Sequence, residues 1–176
     1  MKDNNWYVIT GAPHSGKTSV IELLKKKGYK VVYETARVYI DQELAKGHTL
    51  EEIRGDELRF QKGILDKKSE IEKKLDSEEV IFFDRAIPDT GAYYELCGFN
   101  KDKRYRELSK KCVYKKVFLF ELLPYKKDYA RTETEKEQVM LQELLEEEYR
   151  KLGNVIVVVP TMNSPEERMK FVLNNM

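Results

Sequence analysis

Residues Gly11-Ala12-Pro13-His14-Ser15-Gly16-Lys17-Thr18 satisfy every fixed position of the pattern G-x-x-x-x-G-K-[ST]. Such an octapeptide constrains the fold when a strand leads into it and a helix follows. Both are predicted here. Trp6-Tyr7-Val8-Ile9-Thr10 reads as a buried strand, and Ser19 to Lys27 as a helix with Val20, Ile21, Leu23 and Leu24 apolar. Gly11 and Gly16 allow backbone geometry that a side chain would block, so successive N–H groups can turn inward around an anion at the helix N-terminus. Lys17 then adds a point charge toward the β- and γ-phosphates of a nucleoside triphosphate, and Thr18 a hydroxyl for Mg²⁺. The nucleotide-binding stretch is therefore read as Gly11, Ala12, Pro13, His14, Ser15, Gly16, Lys17, Thr18 and Ser19, with Lys17 on an exposed loop. His14 and Ser15 hold variable positions, which argues against a catalytic role for His14.

The chain continues in the same alternation. Lys25-Lys26-Lys27-Gly28 supplies positive charge and a left-handed cap for the first helix, and Tyr29 to Tyr33 reads as a second strand. Glu34-Thr35-Ala36-Arg37 leads into a helix with Ala36, Ile40 and Leu44 in helical spacing, stopped at Gly47. Thr49-Leu50-Glu51-Glu52 is a capping box opening another helical stretch, in which Gly55 and Gly63 predict a break or bend. The charged residues of that stretch read as a solvated face. Val80-Ile81-Phe82-Phe83 is an apolar run ending in Asp84-Arg85, the pattern of a strand buried on both faces and the Walker B candidate. Pro88-Asp89 starts a helix carrying Ala92, Tyr93 and Leu96, and Tyr105, Leu108 and Cys112 suggest a short one after it. Val117 to Phe120 and Val155 to Val159 are the fourth and fifth strands, with a long helix through Leu141, Leu145 and Tyr149 between them. Ser164-Pro165-Glu166-Glu167 caps a last helix. Residues 124–135 are polar, charged and without periodicity, and read as a lid.

Strands alternating with helices predict an α/β fold with one doubly wound, parallel, five-stranded sheet and right-handed crossovers. Its ligand belongs at the carboxyl ends of the strands, where the phosphate loop, Glu34, Asp84-Arg85 and the lid should converge. With 176 residues and 41% hydrophobic content, residues 1–176 are read as a single domain. A formal charge of +1 gives no global field toward an anionic membrane, and leaves nucleic acid only a local patch. Cys97 and Cys112 match no metal or redox spacing and read as core filler. The sequence has neither a leader-like apolar stretch at its start nor a membrane-length apolar run, so a cytoplasmic location is expected.

The neighbours of the phosphate loop narrow its chemistry. A guanine-reading N-K-x-D is not met, because the nearest approach, Asn100-Lys101-Asp102-Lys103, has lysine where aspartate is needed. The residue after Asp84 is Arg85 rather than a second acid that would activate water. An Asp-Arg pair at a strand end resembles nucleoside and nucleotide kinases. Almost the whole chain resembles the ribosylnicotinamide-kinase-like group of phosphate-loop proteins, many of them described as predicted AAA-type ATPases. The matching residues are the phosphate loop, Glu34-Thr35-Ala36-Arg37, Phe83-Asp84-Arg85-Ala86-Ile87-Pro88-Asp89 with Ala92-Tyr93, Asp128-Tyr129-Ala130-Arg131-Thr132-Glu133, and Leu152-Gly153-Asn154-Val155. That resemblance implies a kinase-like strand order 2-3-1-4-5 and Mg-ATP as donor, with no acceptor common to the group. Arg-Ala-Ile-Pro-Asp after Asp84 departs from the ribosylnicotinamide kinases themselves.

Roles follow from the chemistry of phosphoryl transfer. Thr18 and Asp84 are the Mg²⁺ ligands, direct or through water, opposite Lys17. Glu34 is either the general base, as the glutamate at the comparable strand end of deoxynucleoside kinases implies, or an ion-pair partner of Arg37 or Arg85. Arg37, Arg85 and Asp89 shape the acceptor pocket, and Tyr93 either stacks on the acceptor or packs in the core. Arg131 is the lid cation for the transferring phosphoryl, with Lys126 or Lys127 as alternatives. The expected function is ATP- and Mg²⁺-dependent transfer to a small-molecule acceptor. An ATPase acting as a switch for a protein partner and a polynucleotide end kinase are the other readings.

Overall fold

In the computed structural model, which describes residues 4–124 and 134–176, the strand that leads into the phosphate loop is the middle of the sheet. β1 (Trp6–Thr10) pairs in parallel with β3 (Ile81–Asp84) on one side and β4 (Lys116–Phe120) on the other. β2 (Lys30–Val32) extends the sheet beyond β3, and β5 (Ile156–Val159) beyond β4, giving the order β2-β3-β1-β4-β5. All pairings are parallel, as the alternating pattern and the kinase-like resemblance predicted.

The helices in chain order are α1 (Lys17–Lys26), α2 (Thr35–Ala45), α3 (Leu50–Gly55), α4 (Glu57–Glu72), α5 (Ile87–Leu96), α6 (Lys103–Ser109), α7 (Glu135–Lys151) and α8 (Pro165–Asn174). The period of two along the strands divides them between the two faces of the sheet. Tyr7 and Ile9, with Phe82, Phe118 and Phe120, pack against Val20, Ile21 and Leu24 of α1 and Met169 and Val172 of α8. Val8, with Ile81, Phe83 and Val117, faces Leu65 of α4, Tyr94 of α5, Tyr105 of α6 and Tyr149 of α7. Leu119 meets Leu141, Leu144 and Leu145 of α7 beside Ala12. Each large apolar side chain buried this way contributes roughly 1.5–3 kcal/mol, so the loops at the strand ends stand on a rigid base.

Local signals behaved as read where they act within one turn. Thr49 accepts from the Glu52 N–H while the Glu52 carboxylate returns to the Thr49 N–H, and Thr134 and Glu137 repeat the arrangement at the start of α7. Three expectations are corrected. Gly55 does end α3, but α4 runs unbroken through Gly63. The glycine is there because the Tyr39 ring of α2 lies against it, and a Cβ would come within 2.4 Å of the ring. The charged face of α4 is not all solvated, since Lys68 is 6% exposed. Of the two cysteines, Cys112 is buried but Cys97 is exposed. Among the described residues no helix is long and apolar enough to cross a membrane.

Candidate active site

The phosphate loop begins where β1 delivers Gly11 beside the end of β4. Gly11 has φ +140°, and a Cβ on it would lie 2.7 Å from the Phe120 carbonyl oxygen. Gly16 is the N-cap of α1 with φ +81°. The Ala12 N–H donates to Gln142 Oε1 at 2.9 Å, and Gln142 Nε2 donates to the Phe120 carbonyl at 3.0 Å, so α7 braces the loop. Lys17 Nζ donates to the Ala12 carbonyl at 2.9 Å and to Ser15 Oγ at 3.0 Å. The expectation that Lys17 lies on an exposed loop is corrected: it opens α1 and is 6% exposed. Burial lowers its pKa, helped by Arg85 and opposed by Asp84 and Glu34.

Asp84 ends β3 opposite Ile9 and is 3% exposed. It has no ion pair within 4.0 Å among the described residues, and burial raises its pKa against the pull of Lys17. Arg85 then adopts φ +66°, a left-handed conformation that costs a non-glycine residue roughly 1–3 kcal/mol unless its surroundings hold it. They do. Its N–H donates to the Ile9 carbonyl at 3.0 Å, the next N–H, of Ala86, donates to Asp89 Oδ2 at 2.9 Å, and the Ala86 carbonyl accepts from Lys68 Nζ at 2.7 Å. The guanidinium lies 3.3 Å from Glu34 through Nε and 3.5 Å from Asp89 through Nη1, and sits 5.4 Å from the Tyr93 ring centroid.

Two expected acceptor residues are placed elsewhere. Asp89 is fully buried, where it accepts from Thr10 Oγ1, the Tyr149 hydroxyl and the Ala86 N–H. Capture of its carboxylate by the start of α5 turns it away from ligand, so Asp89 holds Arg85 rather than lining the pocket. Burial alone would raise its pKa, but Lys68, Arg85, Thr10 and Tyr149 outweigh this and hold it below the usual aspartate value. Arg37 is exposed and does not line the cavity, because α2 turns Thr35 inward and carries Arg37 to another face.

The remaining groups surround one cavity of about 740 Å³. The phosphate loop lines one end through Pro13, His14, Gly16, Lys17, Thr18 and Ser19, while Gly11, Ala12 and Ser15 lie behind it. Glu34, Asp84 and Arg85 stand at the middle, and Tyr93 opens onto the same space. The far end is made by α3 and α4. Phe60 and Ile64 form an apolar wall carrying Gln61, whose Nε2 donates to Glu57 Oε1 at 2.8 Å. Arg54 lies 3.6 Å from Glu57 and over the Phe60 ring at 4.4 Å, while Lys68, also of α4, lines the cavity with its Nζ on the Ala86 carbonyl beside Arg85. Sequence reasoning missed Gln61, Lys68, Arg54, Gln142 and Arg168. The only signal for them was position on amphipathic helices, which does not separate solvated from cavity-facing polar groups. Leu123 and Pro124, the first residue of the expected lid, line the cavity. Lys126, Lys127 and Arg131 lie outside the described residues.

A family model for an AAA domain, AAA_28, matches residues 6–168. The chain belongs to this family. No curated protein matches this AAA-domain protein. Among solved structures it is similar to a thymidylate kinase from Ehrlichia chaffeensis, with TM-score 0.66, 14% identity, and coverage of 97% of this chain and 96% of that one. It is similar to a deoxyadenosine kinase from M. mycoides with products dCMP and dCDP bound, with TM-score 0.64, 18% identity and 97% coverage of both. It also matches NadR protein in complex with NR, with TM-score 0.66 and 17% identity, covering 98% of this chain and half of NadR. The resemblance read from the phosphate loop, Glu34-Thr35-Ala36-Arg37 and Asp84-Arg85 is borne out at the level of the group. This is a phosphate-loop AAA-type domain with the fold of nucleoside and nucleotide kinases.

Proposed function

We propose that this AAA-domain protein transfers the γ-phosphoryl group of ATP, with Mg²⁺, to a small-molecule acceptor such as a nucleoside, a nucleotide or a related metabolite. The observation that carries the reading is the convergence of Lys17, Glu34, Asp84 and Arg85 on a cavity that continues past them to an apolar wall. Phosphate and water need no such wall. Phe60, Ile64 and Tyr93 offer a planar, carbon-rich molecule a surface, with Gln61 placed to read a polar edge. This favours a kinase over an ATPase that only hydrolyses.

Phosphoryl transfer is catalysed by positioning and by charge. The backbone N–H groups of the loop and Lys17 hold the β- and γ-phosphates. Asp84 and Thr18 fit a Mg²⁺ ion: the buried Asp84 carboxylate lacks an ion-pair partner among the described residues, and the Thr18 hydroxyl opens onto the same cavity. A Mg²⁺ ion held by these two side chains would supply neutralisation of the negative charge on the phosphates. Glu34 takes the proton of the acceptor hydroxyl. Its side chain is 45% exposed, so the carboxylate remains accessible while Arg85 restrains it from behind. Arg131, read from sequence alone, is the cation proposed for the transition state.

The deciding experiment is a screen of ATP consumption across nucleosides, nucleotides, vitamins, sugars and RNA ends. Acceptor-stimulated turnover with a phosphorylated product is expected. Steady ATP hydrolysis that no acceptor changes would move the protein to the switch reading, and turnover confined to RNA ends to the polynucleotide one.

A further inference from the structure

Arg168 approaches the phosphate loop from behind, on the last helix of the chain. Its side chain is 3% exposed and is directed at backbone carbonyls: Nη1 at Ser15, Nε at Pro160 at 3.0 Å, and Nη2 at Glu121 at 3.1 Å and Val159 at 3.3 Å. The guanidinium also lies over the Phe120 ring at 4.5 Å. It has no ion pair among the described residues. A buried cation without a carboxylate is a poor device for stability alone, which directs attention to the geometry it enforces.

That geometry concerns one peptide bond. The Ser15–Gly16 peptide is trans and planar, so its C=O and N–H point in opposite directions. Gly16 lines the cavity, whereas Ser15 and Arg168 do not. Holding the Ser15 carbonyl on the far side of the loop therefore sends the Gly16 N–H toward the cavity. Gly16 is shaped to the same contact: at φ +81° a Cβ would lie 3.1 Å from Arg168 Nη1. Glycine and arginine fit against each other, and the arginine side chain does not line the cavity.

We propose that Arg168 is a positioning residue for polyphosphate, fixing the Gly16 N–H as an anion donor through the Ser15 carbonyl. The inference rests on the proposed binding of a nucleoside triphosphate at the loop. Its test is calorimetric titration of ATP and of inorganic tripolyphosphate into the wild type and into Arg168→Lys, each well below its unfolding midpoint. Lysine keeps the charge but not the planar fork that reaches several carbonyls at once. A misdirected hydrogen bond to a charged ligand should weaken both probes by about 10–100-fold. Lowered thermal stability with both affinities unchanged would overturn the inference and leave Arg168 a structural tie. If Arg168→Lys does not fold, the wild-type amide spectrum decides: the Gly16 N–H resonance should shift strongly on addition of tripolyphosphate, and an unmoved resonance overturns the proposal. A wild type that binds neither probe removes the proposed function as well, which separates that failure from this one.

Discussion

Glu34 Oε1 lies 3.3 Å from Arg85 Nε, joining the loop after β2 to the turn after β3. Arg85 Nε is buried and makes no aligned hydrogen bond, so the contact is one of charge rather than of shape. It orients Glu34 without consuming a lone pair that an acceptor hydroxyl would need. Glu34→Gln should therefore lower transfer by about 10²–10⁴-fold while ATP affinity stays nearly constant. Single-turnover transfer measured beside an ATP titration checks this. A parallel loss of ATP binding would assign Glu34 to metal or structure instead.

Lys17 is desolvated as well as charged, and its ammonium is repelled by Arg85. Lys17→Ala gives up two hydrogen bonds, to the Ala12 carbonyl and Ser15 Oγ, but also relieves that burial. The two effects offset, and stability should change by no more than about 1 kcal/mol. Transfer should become undetectable. Thermal unfolding and an acceptor-coupled assay on the same preparation test both halves.

Asp89 is the hidden member of the site. It receives Thr10, Tyr149 and the Ala86 N–H, and its charge faces Arg85. Asp89→Asn leaves Arg85 buried without that charge and places an amide group where only acceptors fit. Removing one partner of a buried pair costs about 3–5 kcal/mol, and a loss of that size is expected in denaturant unfolding. A change below about 1 kcal/mol, the range of a surface ion pair, would show that Arg85 does not depend on Asp89.

How far these residues were legible in the sequence follows from how local their causes are. The phosphate loop, the apolar run into Asp84 and the Thr49 capping box each act within one turn or one strand, and each was found where it was read. Gly63 was misread because its reason is the Tyr39 ring of another helix. Asp89 looked like a ligand-facing acid because its distant partner, Tyr149, cannot be paired with it from spacing. Gln142 and Arg168 carry no local signature beyond their place on amphipathic helices, since their meaning lies in carbonyls and amides delivered by other elements. The fold was thus open to reading, the phosphate-loop end of the cavity largely so, and the end made by α3 and α4 much less.

Glu72 offers a test by pH. Burial pushes its carboxyl up to about 7, against the Tyr114 hydrogen bond and Lys68, which pull it down. A carboxyl whose folded pKa is raised favours the folded state below its unfolded pKa of 4.5, and that contribution is lost as pH rises through about 7. Glutamine keeps an acceptor for Tyr114 without the charge. Glu72→Gln should therefore be more stable than wild type at pH 8, with the gain shrinking toward pH 5. Urea unfolding of both proteins at these pH values measures it, and a gain independent of pH would remove Glu72 as the titrating group.

The bracing of the phosphate loop by α7 and α8 bears on how the polypeptide could be divided. Gln142 reaches Ala12 and Phe120, Tyr149 reaches Asp89, Arg168 reaches Ser15, and β5 completes the sheet beside β4. Every one of these ties crosses from the part of the chain after residue 133 to the part before residue 125. Two separately made polypeptides, 1–124 and 134–176, would thus divide the molecule with every described residue lining the cavity on the first and the supports of its phosphate loop on the second. Neither fragment should keep the fold alone, because the first lacks the edge strand that pairs with β4 and the second lacks the sheet on which β5 is laid.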